Sequence, residues 1–218
     1  MNSIDNDKIK QVCKNLVGCQ INIGFKIKLQ NGKVYNGEID DCNIVGNSME
    51  TILYSLLKKE ISTILRGPKQ HSPDFFNNDY NYELKVFLKN PGFDISNFTC
   101  YINQLENNLE KKLFKTKYLI FEYKIIDDYF KIQDFKMLNI WNMISYNGKY
   151  PISLQNKRGI WYNIRPCSFK DMSKTYKNPS LFINKICEAI TKCPNKIENK
   201  EKLIMNIKRQ YEILTLKY

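Results

Sequence analysis

The chain has 218 residues, 43% of them hydrophobic and 26% charged, enough for one sizeable domain with its own core. Thirty-four Lys and Arg against 22 Asp and Glu leave a formal charge of +12, which favours a polyanionic partner; 30 of the cations are Lys and 26 residues are Asn, a bias that A/T-rich codons also produce. No apolar run approaches the ~18 residues that span a bilayer, and "MNSIDNDKIKQVCKNLVG" carries acids and lysines where a signal peptide is apolar, so a cytoplasmic protein is expected.

In chain order, the first expected element is a short helix over about 5–16. "FKIKLQNGKVYNGEI" reads as a hairpin, because Phe25, Ile27 and Leu29 alternate with Lys26, Lys28 and Gln30 before an Asn31-Gly32 turn. "SMETILYSLLKKEISTIL" has a helical stripe at 53, 56, 57, 61, 64 and 65, with Ser48 as its expected cap and Gly67-Pro68 as its stop. Phe98, Tyr101, Ile102, Leu105, Leu109 and Leu113 mark a second amphipathic helix, with Ser96 as the expected cap.

"KYLIFEYKII" at 117–126 is a strand, followed through an Asp127-Asp128 turn by "YFKIQDF". "MLNIWNMIS" predicts a short helix, and "GIWYNIRP" ends a further strand at Pro166. Helices at about 180–192 and 198–216 close the chain, with Ile204, Ile207, Tyr211 and Leu214 as an apolar seam. Helix, strand, helix, strand, strand, helix predicts an α/β or α+β sheet covered by helices. Seven cysteines are scattered without a CxxC pair, and His71 is the only histidine, so reduced thiols and no structural zinc are expected.

The chemistry concentrates in "HSPDFFNNDYNYELKVF", residues 71–87, which spells P-D, eight residues, then E-x-K. Alternate side chains of a strand share a face, so Glu83 and Lys85 point together while Leu84 turns to the core. Asp74 can approach them from the preceding strand, with "NNDYN" making the turn. Two carboxylates and one backbone carbonyl suffice for Mg²⁺, which keeps several of its waters, and a lysine beside them can position or deprotonate a water. Glu60 is a second-tier acid on the preceding helix, where a solvated position after Lys58-Lys59 is the ordinary alternative. His71 could touch a scissile phosphate.

This pattern resembles the signature of the PD-(D/E)XK nuclease superfamily. With "GPKQHSPDFF", "YELK", "NPGFDISNF", "YLIFEYKI" and "QNKRGIWYNIRP" it looks like a type II restriction endonuclease across about residues 67–166. The resemblance implies a central mixed sheet flanked by helices, with 1–66 and 167–218 as N- and C-terminal helical additions to a 67–166 core in one domain. It implies Asp74 and Glu83 as metal ligands, the Leu84 carbonyl as a third, and Lys85 as the water-activating residue. It further implies a Mg²⁺-dependent homodimer that cuts both strands of a palindromic double-stranded DNA site, with a cognate DNA methyltransferase as functional partner. The alternatives are a structure-specific or repair nuclease on the same fold, or a non-catalytic basic DNA-binding protein.

Base reading is expected from "LQNKRGIWYNIRP". Arg reads guanine and Asn or Gln reads adenine, so Gln155, Asn156, Arg158, Asn163 and Arg165 form the densest cluster of such chemistry, with Lys157 beside them. Trp161 and Tyr162 either stack or fill the core, and Arg165 holds a base, a phosphate or a carboxylate.

Overall fold

The structure is a computed structural model that describes residues 4–22, 25–37, 42–68, 71–126, 129–146 and 149–217. The expected Asp127-Asp128 turn lies outside these residues. The chain divides into two compact units, Met1–Asn90 with Tyr118–Met137, and Pro91–Lys117 with Leu138–Tyr218. The chain crosses between the units three times, after Asn90, Lys117 and Met137, so neither unit is one continuous segment. Among the described residues no helix is long and apolar enough to cross a membrane.

The first unit contains α1 (Ile4–Asn15), β1 (Gln20–Asn22), β2 (Phe25–Lys28), β3 (Val34–Gly37), α2 (Cys42–Glu60), β4 (Leu65–Arg66), β5 (Phe75–Phe76) and β6 (Asn81–Phe87). After an excursion through β7 (Ser96–Asn97), α3 (Phe98–Leu109) and a π-helical turn (Glu110–Phe114), the chain supplies β8 (Thr116–Ile126) and β9 (Tyr129–Leu138). The central sheet has the order β1-β9-β8-β6-β5-β4 and is mixed, with helices flanking it. The predicted hairpin is present as β2–β3, with Lys28 opposite Val34 and Gly32 at a φ of +82° in the turn.

Val45, Met49, Leu53 and Leu57 recur every four residues and form the buried stripe of α2. They share one apolar cluster with Ile9 and Cys13 of α1, Phe75, Tyr82 and Leu84 of the neighbouring strands, and Phe121 and Phe130. Each fully buried side chain of this size stabilises the fold by roughly 1.5–3 kcal/mol relative to exposure. The helix differs from expectation at both ends. Ser48 lies inside it rather than at its cap, and it stops at Glu60, with Ile61 and Ile64 buried in the following turn. Lys58 Nζ holds that turn by donating to the carbonyls of Ser62 and Ile64 at 2.7 and 3.2 Å.

The second unit contains the three-stranded sheet β10-β11-β7, built from β10 (Leu154–Lys157), β11 (Ile160–Ile164) and β7. With it are α3, the short α4 (Ile140–Met143), α5 (Pro179–Lys192) and α6 (Lys200–Thr215). The predicted stripe of α3, from Phe98 to Leu113, is buried throughout. Its cap is Asn97, whose side chain accepts from the amide of Cys100 at 3.1 Å; Ser96 instead pairs with Ile164. In α6 the buried positions are Leu203 and Ile207, while Ile204, Tyr211 and Leu214 are half-buried.

Candidate active site

β5 lies between β4 and β6, antiparallel to both: Arg66 faces Phe75, and Phe75 faces Tyr82. Asn77 sets the β5–β6 turn, its Oδ1 accepting from the amides of Asp79 and Tyr80 at 3.0 and 2.8 Å, an Asx-type device. One step beyond the Phe75–Tyr82 pair, the same register brings Asp74 opposite Glu83. The amide of Leu84 donates to Asp74 Oδ2 at 2.6 Å. Tyr82 and Leu84 are in the core, and the strand alternation leaves Glu83 and Lys85 half-buried on the other face. Ser72 Oγ donates to Glu83 Oε1.

Close approach of two chain segments fixes this corner. Gly67 donates its amide to the Asp74 carbonyl at 2.8 Å. A Cβ on Gly67 would lie 1.6 Å from the carbonyl oxygen of Pro73, so only glycine fits without moving the Pro73-Asp74 backbone. Glycine here serves the site, whereas sequence patterning shows it only as the stop of a helix.

The electrostatics of Asp74 record its neighbours. Burial, first, and the charge of Glu83, second, push its carboxyl up to about 6; the Leu84 amide and Lys85 pull it down, and Glu50 raises it further. Asp74, Glu83 and Lys85 therefore share one neighbourhood, with the Leu84 main chain between them. Among the described residues no group of three or more His, Cys, Asp or Glu side chains could hold a metal ion. Two carboxylates with a main-chain carbonyl, the set the motif residues would offer, suit a hard cation that retains water rather than one needing a full protein cage.

Glu50, not Glu60, is the helical acid that acts on Asp74. Glu60 is the exposed last residue of α2, ten positions on, or about 15 Å along the axis at 1.5 Å per residue. Arg66 Nε and Nη2 both donate to Glu50 Oε1, at 2.9 and 2.8 Å. The guanidinium also sits 6.0 Å from the Tyr54 ring centroid. Reading Ser48 as the helix cap hid Glu50, because it placed that residue in a first turn where an acid needs no further reason. His71 is exposed, with its amide donating to the Pro68 carbonyl at 3.1 Å.

The expected DNA-reading residues separate. Trp161 and Asn163 face inward and are buried, so neither is presented to a base. Arg165 takes the carboxylate option, pairing through Nε with Asp94 at 2.8 Å and donating through Nη1 to the Gly92 carbonyl. Gln155 Oε1 is buried without a hydrogen-bond partner among the described residues. Asn156 spends its side chain on the adjacent turn, where its Oδ1 accepts from the Gly159 amide at 3.0 Å. Lys157, Arg158 and Tyr162 remain exposed.

A mixed sheet flanked by helices, with Asp74 at the entry to β5 and Glu83 and Lys85 on the adjoining β6, is here that of a type II restriction endonuclease, a site-specific deoxyribonuclease that acts on double-stranded DNA. The family model for NgoBV restriction endonuclease matches residues 7–217, and the chain belongs to this family. It is 30% identical over 172 residues to the type II restriction enzyme NlaIV of Neisseria lactamica, covering 72% of this chain and 69% of that one. The solved NlaIV restriction endonuclease superposes with a TM-score of 0.78 at 23% identity, covering 95% of this chain and 86% of that one, which shows a common fold. Family membership thus decides against a non-catalytic DNA-binding protein.

Proposed function

We propose that this endonuclease uses Mg²⁺ to hydrolyse one phosphodiester in each strand of a palindromic double-stranded DNA site, working as a homodimer. The observation that carries the reading is the 2.6 Å bond from the Leu84 amide to Asp74 Oδ2 across β5 and β6, which sets Asp74 beside the strand that bears Glu83 and Lys85.

Asp74 and Glu83 would hold the cation, with the Leu84 carbonyl as a third ligand. In an extended strand a residue's N–H and C=O point to the same side, and the Leu84 N–H already points to Asp74. A bound Mg²⁺ would supply positive charge at the scissile phosphate and acidify a water. Asp74 keeps Oδ1 for that role because the Leu84 amide occupies Oδ2. Ser72 orients Glu83 in the same way through Oε1. Lys85, on the Glu83 face of β6, would align the attacking water, and only as the neutral amine would it also accept the proton that the water gives up. Two equivalent active sites are what a two-fold symmetric DNA site requires, which argues for the dimer. The enzyme would act in the cytoplasm beside a cognate DNA methyltransferase that protects host sites.

The test uses supercoiled plasmid with Mg²⁺, a gel-shift on the same DNA with Ca²⁺, and a calorimetric titration with Mn²⁺. Asp74→Ala and Lys85→Ala should leave the plasmid intact while the shift persists, and Asp74→Ala should also lose the Mn²⁺ isotherm. Undiminished cutting by either variant overturns the assignment.

A further inference from the structure

The small sheet of the second unit ends in a two-residue hairpin, with Lys157 opposite Ile160. Both intervening residues have positive φ, 54° at Arg158 and 83° at Gly159, the pattern of a type I′ turn. Glycine takes such angles freely. Arginine does not, because a left-handed L-residue brings its Cβ against the following carbonyl, and Asn, Asp or Gly ordinarily fills this position.

The turn is nevertheless firmly held. Asn156 Oδ1 accepts from Gly159 N at 3.0 Å, and its Nδ2 reaches the Tyr150 hydroxyl at 3.3 Å. Behind it, Tyr150 and Phe98 both meet Trp161 edge-on, with centroids at 5.5 and 5.8 Å. Asn195 grips the Trp161 main chain on both sides, accepting from its amide at 2.9 Å and donating to its carbonyl at 2.7 Å. The opposite face is open: Ile160 and Tyr162 are 55% and 44% exposed, and Lys157 Nζ sits 4.6 Å from the Tyr162 ring centroid.

Arg158 stands at the exposed tip, without a hydrogen bond or ion pair among the described residues. Arg66 and Arg165 are committed to Glu50 and Asp94, and Arg209 lies on the outer surface of α6. A residue that disfavours its own backbone, kept at the end of an anchored stem, is kept for its side chain. The guanidinium is a planar fork that donates two hydrogen bonds to O6 and N7 of one guanine.

The geometry points to Arg158 as a specificity-determining residue that reads a guanine in the recognition site, with Lys157 and Tyr162 against the neighbouring DNA backbone. This rests on the reading that the chain cuts a specific DNA site. Arg158→Asn gives the turn a residue that its backbone favours, so the variant should melt about as high as the wild type or a few degrees higher. Both proteins digest a fully sequenced phage DNA, and the fragment ends are sequenced. The wild type should yield one consensus. Arg158→Asn should cut that consensus roughly 10- to 100-fold more slowly and lose the G·C preference at one position of each half-site. Arg158→Lys, which keeps the charge without the fork, should fall with it. An unchanged consensus and rate overturns the inference, as does weakening that is equal on all sequences, the mark of a phosphate contact. Random ends from the wild type would overturn the underlying reading, and this inference with it.

Discussion

The main-chain amide of Leu84 donates to Oδ2 of Asp74 across 2.6 Å, so the residue between the acid and the lysine of the motif holds the motif's first carboxylate in place. The side chain of Leu84 meanwhile lies in the apolar cluster of the first unit. One residue therefore couples core packing to the orientation of the acid, and the behaviour of Asp74 reports on the whole corner.

The carboxyl of Asp74 is raised from 3.8 to about 6 in the folded chain, chiefly by burial. The folded state then binds this proton more tightly than the unfolded state, so ionisation weakens the fold as pH rises from about 4 through 6. Asp74→Asn removes that penalty while keeping an oxygen for the Leu84 amide. In EDTA at pH 8 it should be more stable by on the order of 1–3 kcal/mol, and at pH 4 no more stable than the wild type. Thermal unfolding at the two pH values checks this; a variant that melts lower at pH 8 refutes it.

Gly67→Ala forces a methyl group to within 1.6 Å of the Pro73 carbonyl oxygen, so the Pro73-Asp74 segment must shift. A displacement near 1 Å at a catalytic group costs about 100-fold in rate, and cleavage should fall by that order. Gly32→Ala supplies the control. Its φ of +82° makes the substitution unfavourable by about 1 kcal/mol, yet it has open space and belongs to a hairpin turn, so cutting should be unaffected.

Glu50 and Glu60 should part company in a pH–rate profile. Glu50→Gln removes a negative charge that raises Asp74, so the acidic limb should move to lower pH by a few tenths of a unit. Glu60→Gln should leave the profile in place. The Arg66–Glu50 pair is partly solvated, with side chains 35% and 26% exposed, and losing it should cost no more than about 1 kcal/mol. Identical profiles for the two variants would show that Glu50 does not act on Asp74.

Arg165→Ala should behave as a stability variant. It releases Asp94 and the Gly92 carbonyl, and a loss of about 1–2 kcal/mol in denaturant unfolding is expected without a change of cut site. A changed consensus with unchanged stability would return Arg165 to the DNA interface.

Much of the site was legible because it depends on short-range rules. Alternation along a strand puts Glu83 and Lys85 on one face and Leu84 in the core wherever the strand lies. The Pro-Asp turn and Asn77 set the local return of the chain. The helix reading failed for Glu50 because the start of α2 lies six residues before the expected cap, and propensity alone does not locate a boundary that packing extends. In the segment expected to read DNA, the residue types are legible in the sequence but the direction of each side chain is not. Trp161, Asn163 and Arg165 have base-reading side chains, yet the bulge and pairing of β10–β11 turn them inward or onto Asp94.

The sequence by itself determined the longer helices and strands and the identity of the nuclease motif, since both follow from periodicity and from residues within one hairpin of each other, whereas the short strands β1, β4, β7 and β10 carry no such pattern. Tertiary structure decided which acid of α2 has its charge felt at Asp74, why position 67 tolerates no side chain, and which arginine is left exposed at a hairpin tip. Those outcomes depend on segments distant along the chain meeting at contact distance, where a single carbonyl or carboxylate already occupies the space, and no local pattern encodes that.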